Sequence, residues 1–115
     1  MGGPLNMCAK KTEPEIDVYL SRRFEKKFNA LNQQERDAID EQIELIIDSP
    51  EMGEQKKGDL AYLRVHKFRM SQQQYLLGYS WVEKKLELYM LSIGSHENFY
   101  DDQKQHRKAD LKIIG

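Results

Sequence analysis

Cysteine is nearly missing from this chain of 115 residues: Cys8 stands alone. That excludes an intramolecular disulfide framework and fits a reducing compartment. No apolar run approaches the roughly 20 residues that a membrane-spanning helix needs. The stretch Met1–Lys11 lacks the charged, then apolar, then small-residue order of a secretory leader. These absences predict a cytoplasmic protein with no membrane partner. Generic catalytic signatures are absent too: there is no phosphate-cradling glycine loop, no paired-cysteine zinc motif and no Gly-x-Ser-x-Gly elbow. The three histidines, His66, His96 and His106, follow no metal-ligand spacing, so neither a metal nor another cofactor is expected. A basic excess, the usual mark of a phosphate binder, is also absent from the formal net charge of −1.

The charge is unevenly placed. From Lys56 onward, eleven Lys and Arg face seven Asp and Glu, whereas the first 55 residues hold seven against twelve. A basic C-terminal half suits a polyanionic partner; an unevenly solvated surface would look the same. The length and a 39% apolar fraction fit a single soluble domain over 1–115, with residues 1–11 as a flexible tail.

Thr12-Glu13-Pro14-Glu15 reads as a capping box, which predicts a helix from that point. Ile16, Tyr19, Leu20, Phe24 and Phe28 follow at three-to-four-residue spacing, one apolar stripe, with Arg22, Arg23, Lys26 and Lys27 turned outward. Asn32 and Glu35 repeat the capping pattern ahead of Ala38, Ile39, Ile43, Ile46 and Ile47. Ser49-Pro50 should end this second helix, because proline lacks the amide and disfavours helix in the residue before it. The short connection over Asn29–Gln33 predicts an antiparallel helical hairpin.

After Gly53 the pattern turns to strands, expected near Leu60–Met70, Gln74–Val82 and Leu86–Gly94, with turns at Ser71–Gln73 and Glu83–Lys85. Leu63 and Val65 alternate with Arg64 and His66, and Tyr75, Leu77, Tyr79 and Trp81 share one side of the next strand. A polar helix is expected over Glu97–Ala109. The fold class is thus α+β, an N-terminal helical hairpin packed on a small antiparallel sheet with a short C-terminal helix. Tyr19, Phe24, Ile39, Ile43, Leu63, Val65, Leu77 and Tyr79 are expected to share one core.

Arg64 and His66 project from the same face of a strand, and His96 and Tyr100 follow the last strand, where chains leaving a sheet often carry function. A solvated sheet face, a capping histidine and a packed tyrosine are the structural alternatives. Together these groups suit RNA cleavage: imidazoles to move protons, an arginine for phosphate charge, and an aromatic ring for stacking or orientation.

The order of the charged hairpin, Ser49-Pro50-Glu51-Met52-Gly53, Lys57-Gly58-Asp59-Leu60, Leu63-Arg64-Val65-His66-Lys67-Phe68, Tyr75-Leu76-Leu77-Gly78-Tyr79 and Gly94-Ser95-His96-Glu97-Asn98-Phe99-Tyr100 closely resembles RelE/ParE-type toxins of type II toxin–antitoxin systems. The likeness runs from about Glu15 to Arg107. It implies a sheet packed against the hairpin and a neutralising antitoxin as partner. For the RelE branch it implies a ribosome-dependent endoribonuclease acting on mRNA. His66, His96, Tyr100 and Arg64 fall at positions matching that branch's catalytic set, and Lys57 and Lys67 would help to bind phosphate. The sequence departs from the branch at Leu76, where many nucleases carry arginine. The ParE branch instead implies poisoning of DNA gyrase, and a noncatalytic antitoxin-binding protein would show the same pattern.

Overall fold

The computed structural model describes residues 15–97 and 99–115. The Thr12 cap, Cys8 and the expected tail lie outside the described residues. Five strands form one sheet: β1 (Asp17–Leu20), β2 (Glu54–Gln55), β3 (Arg64–Met70), β4 (Gln73–Val82) and β5 (Glu87–Ser95), in the spatial order β1-β5-β4-β3-β2. The helices are α1 (Arg22–Asn29), α2 (Gln33–Asp48), α3 (Phe99–Gln105) and α4 (Arg107–Ile114).

The first helix is shorter than its apolar spacing predicts. Asp17–Leu20 is a strand running parallel to β5, so the sheet is mixed and not purely antiparallel. Helix begins only after Ser21, whose extended backbone and Oγ cap it by accepting from the Phe24 amide at 3.0 Å. The same hydroxyl donates to the Leu91 carbonyl at 2.8 Å, which ties the start of α1 to the sheet. Helix α2 follows the sequence closely: Asn32 and Glu35 form a reciprocal capping box, and the helix ends at Asp48, ahead of Pro50.

Of the eight residues expected in one core, seven divide between two clusters. Phe24, Ile39, Leu77, Tyr79, Leu88, Met90 and Ile93 form a cluster between the sheet and the α1–α2 hairpin, with Ile43 packed against it. Leu63 and Val65 belong to a second cluster with Leu60, Leu76, Tyr89, Leu91 and Phe99, on the face covered from the C-terminal side. Tyr19 joins neither and is exposed. Strict alternation along β4 produces this division, sending Leu76 to one face and Leu77 to the other. Between Gly78 and Tyr79 the register with β5 shifts, leaving Leu91 without a partner on β4. This bulge lets Leu91 and Ser92 both face the second layer. Gly78 must be glycine there, because a Cβ would sit 2.5 Å from Ser92 Oγ and 2.8 Å from the Phe99 ring.

The expected C-terminal helix is two helices, fastened by a buried polar network. Asp110 is fully buried and accepts from Arg23 through both oxygens, Nη1 at 2.9 Å and Nη2 at 3.2 Å. Arg23 therefore points inward, not toward solvent. The Gln103 side chain accepts from Ser92 Oγ at 2.7 Å and donates to Tyr62 Oη at 2.9 Å and Asp110 Oδ2 at 2.5 Å. Breaking a buried pair leaves an uncompensated charge, which typically costs about 3–5 kcal/mol. Asp110→Ala should lower the free energy of unfolding by about that amount in urea titration. A loss below about 1 kcal/mol would mean that the pair is not holding the C-terminal helices.

Candidate functional site

The expected site residues fall into two groups, which the sheet separates. Arg64 and His66 lie on the hairpin side. The Arg64 guanidinium closes the loop after α2, donating through Nη1 to the carbonyls of Glu51 at 3.0 Å and Gly53 at 2.9 Å, and through Nη2 to Gln55 Oε1 at 3.4 Å. His66 sits against α2, with Nε2 2.7 Å from Gln42 Oε1 and its ring stacked on Phe68 at 5.9 Å. Burial holds its pKa below the ordinary value of 6.5.

Tyr100 packs against the second cluster, on the opposite side of the sheet. It stands in the first turn of α3, just behind the end of β5. Phe99 meets its ring edge-on at 5.2 Å, and His96 does the same at 6.4 Å and 82°. Lys56 Nζ lies 5.2 Å from the centre of the same ring, a cation–π distance. The structure thus brings His96 and Tyr100 together, and no contact among the described residues joins either to His66 or Arg64.

Lys56 is the residue that sequence reading missed. It follows the two-residue β2, and its amide extends the pairing with β3 by donating to Leu63 at 2.9 Å. Glu54 Oε1 accepts from its ammonium at 3.0 Å. Burial pulls the Lys56 pKa down, but the hydrogen bonds and charges of Glu54 and Tyr100 outweigh it and leave the pKa raised. Lys56 is therefore a fixed cation at neutral pH. The hydrogen bond from Lys56 is the main cause of a lowered Glu54 pKa, and Lys67 and Lys57 add to it. Both of these lysines are exposed. Three lysines thus act on the Glu54 carboxylate at this edge, and one of them, Lys56, stands over the half-buried Tyr100 ring, against which the exposed His96 imidazole packs. The available signal was the i, i+2 spacing of Glu54 and Lys56, which puts both on one side of an extended chain. Among the described residues there is no cluster of three or more His, Cys, Asp or Glu that could hold a metal ion.

A model of the ParE-like toxin of type II bacterial toxin–antitoxin systems matches residues 18–104. The chain belongs to this family. Its fold is that of E. coli RelE, as three solved structures show. The intact E. coli RelBE toxin–antitoxin complex matches with a TM-score of 0.60 at 20% identity, covering 72% of this chain and 99% of that one. Isolated E. coli RelE in its P21 form gives 0.57 at 17%, covering 79% and 98%. A RelE mutant in complex with an antitoxin RelBc peptide gives 0.58 at 20%, covering 76% and 92%. No curated protein matches the sequence significantly. No helix among the described residues of this toxin is long and apolar enough to cross a membrane.

The position of His66 gives a pH dependence with a defined sign. The folded ring resists protonation, whereas the unfolded one takes a proton below about pH 6.5. The unfolded state then binds more protons, so stability is full above about pH 6.5, falls as the pH drops below it, and levels off beneath the folded pKa. Thermal melts between about pH 7.5 and pH 5 should show this slope, and His66→Gln should flatten it. An unchanged slope in the variant would remove His66 as its source.

Proposed function

We propose that this toxin is a ribosome-dependent endoribonuclease that inhibits translation by cutting mRNA, with its RNA-binding face around Tyr100, and that a cognate antitoxin neutralises it. The observation that carries the reading is the Lys56 ammonium over the Tyr100 ring, with His96 against the same ring. Lys56, Lys57 and Lys67 supply positive charge for the phosphate backbone, and the Tyr100 ring offers a surface for stacking a base. Cleavage needs the ribose 2′-hydroxyl to lose a proton as it attacks phosphorus and the departing 5′-oxygen to gain one. His96 is the proton-transfer group on this face. His66 and Arg64, the other two members of the expected catalytic set, are engaged on the opposite side and take no direct part.

Single-turnover cleavage on programmed ribosomes tests the assignment. His96→Ala should slow the reaction roughly 100-fold to 10,000-fold, the usual range for general acid–base catalysis. Lys56→Ala should cost roughly 100-fold to 1,000-fold through lost charge stabilisation. His66→Ala should leave the rate within a few-fold. A rate that depends on His66 and ignores His96 would overturn this choice of face.

Leu76 favours a second reading, poisoning of DNA gyrase. It stands where many RelE-type nucleases carry arginine, and here it is fully buried in the second cluster. Inducing the protein in cells and mapping which appears first, new RNA ends or double-strand DNA breaks, separates the two. Antitoxin binding without either kind of break would point to a noncatalytic protein.

A further inference from the structure

Strand β1 ends the sheet on one side, and its outer edge has no strand beside it among the described residues. The amides of Asp17 and Ser21 donate inward, to the carbonyls of Leu86, just before β5, and of Met90 on β5. Alternation along a strand then turns the backbone groups of Val18 and Leu20 outward, with those of Ile16 just before them. The side chains of this edge are also open: Val18 is 37% exposed, Tyr19 42% and Leu20 41%. An edge with free backbone donors and acceptors and three consecutive exposed apolar residues is a template for another strand. Against such pairing the strand has only its four-residue length and the charge of Asp17; it holds no lysine, no proline and no bulge.

We propose that this edge pairs with the same edge of a second copy, β1 against β1 antiparallel about a twofold axis at Val18, forming a ten-stranded sheet across two subunits. The occupant is argued from self-complementarity. Only a register that places outward-facing residues opposite one another satisfies both backbones, and centring on Val18 does so. Val18 then faces its own copy and Ile16 faces Leu20, an apolar row continuous with the hairpin core, against which Ile16 already packs. On the other face Asp17 comes opposite Tyr19, a carboxylate beside a phenol. The Tyr19 ring is already stacked on Tyr89 at 5.0 Å. No like charges oppose each other in this register, whereas a twofold contact of this kind fails wherever a charge meets its own copy. The proposal is independent of the RNA-cleavage reading.

The test is sedimentation velocity on the full chain over a range of concentrations, with amide hydrogen exchange on the same samples. The wild type should shift from monomer to dimer as concentration rises. Exchange at the Val18 and Leu20 amides should slow with that shift, while the inward-facing Tyr19 amide stays unaffected. Val18→Lys sets two ammonium groups on the axis and should weaken the dimer at least tenfold. Val18→Pro removes an outward donor without touching the pairing to β5 and should do the same; circular dichroism confirms that each variant keeps its sheet. A chain that stays monomeric throughout overturns the proposal, as does a dimer that survives both substitutions. Protection of Val18 and Leu20 only when an antitoxin peptide is added would also overturn it, and would give the edge to that partner.

Discussion

The Arg23–Asp110 pair, with Gln103 wedged against it, is the constraint on which the C-terminal half of this toxin depends. A buried carboxylate is tolerated only when paired and fully hydrogen-bonded, and a buried primary amide must satisfy both its ends. Here each need is met by the other elements: Arg23 comes from α1, Ser92 from β5, Tyr62 from the segment before β3, and Gln103 and Asp110 from the two last helices. Such a network has one arrangement in which all members are satisfied, so it specifies where α3 and α4 lie more sharply than apolar packing alone. Phe99 and Tyr100 open α3, and their position against the sheet follows from it. The candidate site is therefore set from the opposite end of the chain, by an arginine in the first helix.

The sheet's alternation then decides which charges can act together. Val65 and Lys67 face the second layer, and Arg64 and His66 face the first, so a shift of one residue along β3 changes the side of the molecule on which a group works. The pairing of Glu54 with Val65 brings the short β2 onto the same scheme and sets Lys56, held by Glu54, beside Tyr100. A chain of net charge −1 thus gathers three lysines around one carboxylate, Glu54, and sets one of them, Lys56, over the Tyr100 ring. Net charge says little about a local field, because screening confines each exposed charge to roughly 10 Å at ordinary ionic strength.

Helix α2 was legible in the sequence because its signals are local: Asn32 and Glu35 are three residues apart, and Pro50 acts on its neighbours. The apolar side of β4 was legible for the same reason. Strand β1 was not. Ile16, Tyr19, Leu20, Phe24 and Phe28 fit a helical stripe, and the hydroxyl of Ser21, which interrupts it, finds its second partner 70 residues away in Leu91. Arg23 reads as a surface residue for the same reason, since its acceptors lie 79 to 87 residues further on. At the candidate site, the end of β5 pointed to His96 and Tyr100 together, and the structure brings their two rings to 6.4 Å. The shared face of Arg64 and His66 was also correct, but which layer that face meets depends on where α2 packs. Periodicity gives relative sidedness and leaves the absolute side to tertiary structure.

On the proposed reading, the raised pKa of Lys56 narrows the chemistry further. An ammonium held by Glu54 and Tyr100 has no lone pair to take the 2′-hydroxyl proton, so Lys56 is confined to countering charge on the phosphate or giving a proton to the departing oxygen. The acceptor role then falls to His96, an exposed imidazole on the same ring, while Tyr100 holds both groups in register with a stacked base. Separation of the two histidines by the sheet therefore does not leave the reaction one group short. It replaces a pair of imidazoles by an imidazole and an ammonium, whose roles are fixed by their charge and not by which of two similar groups lies nearer the substrate.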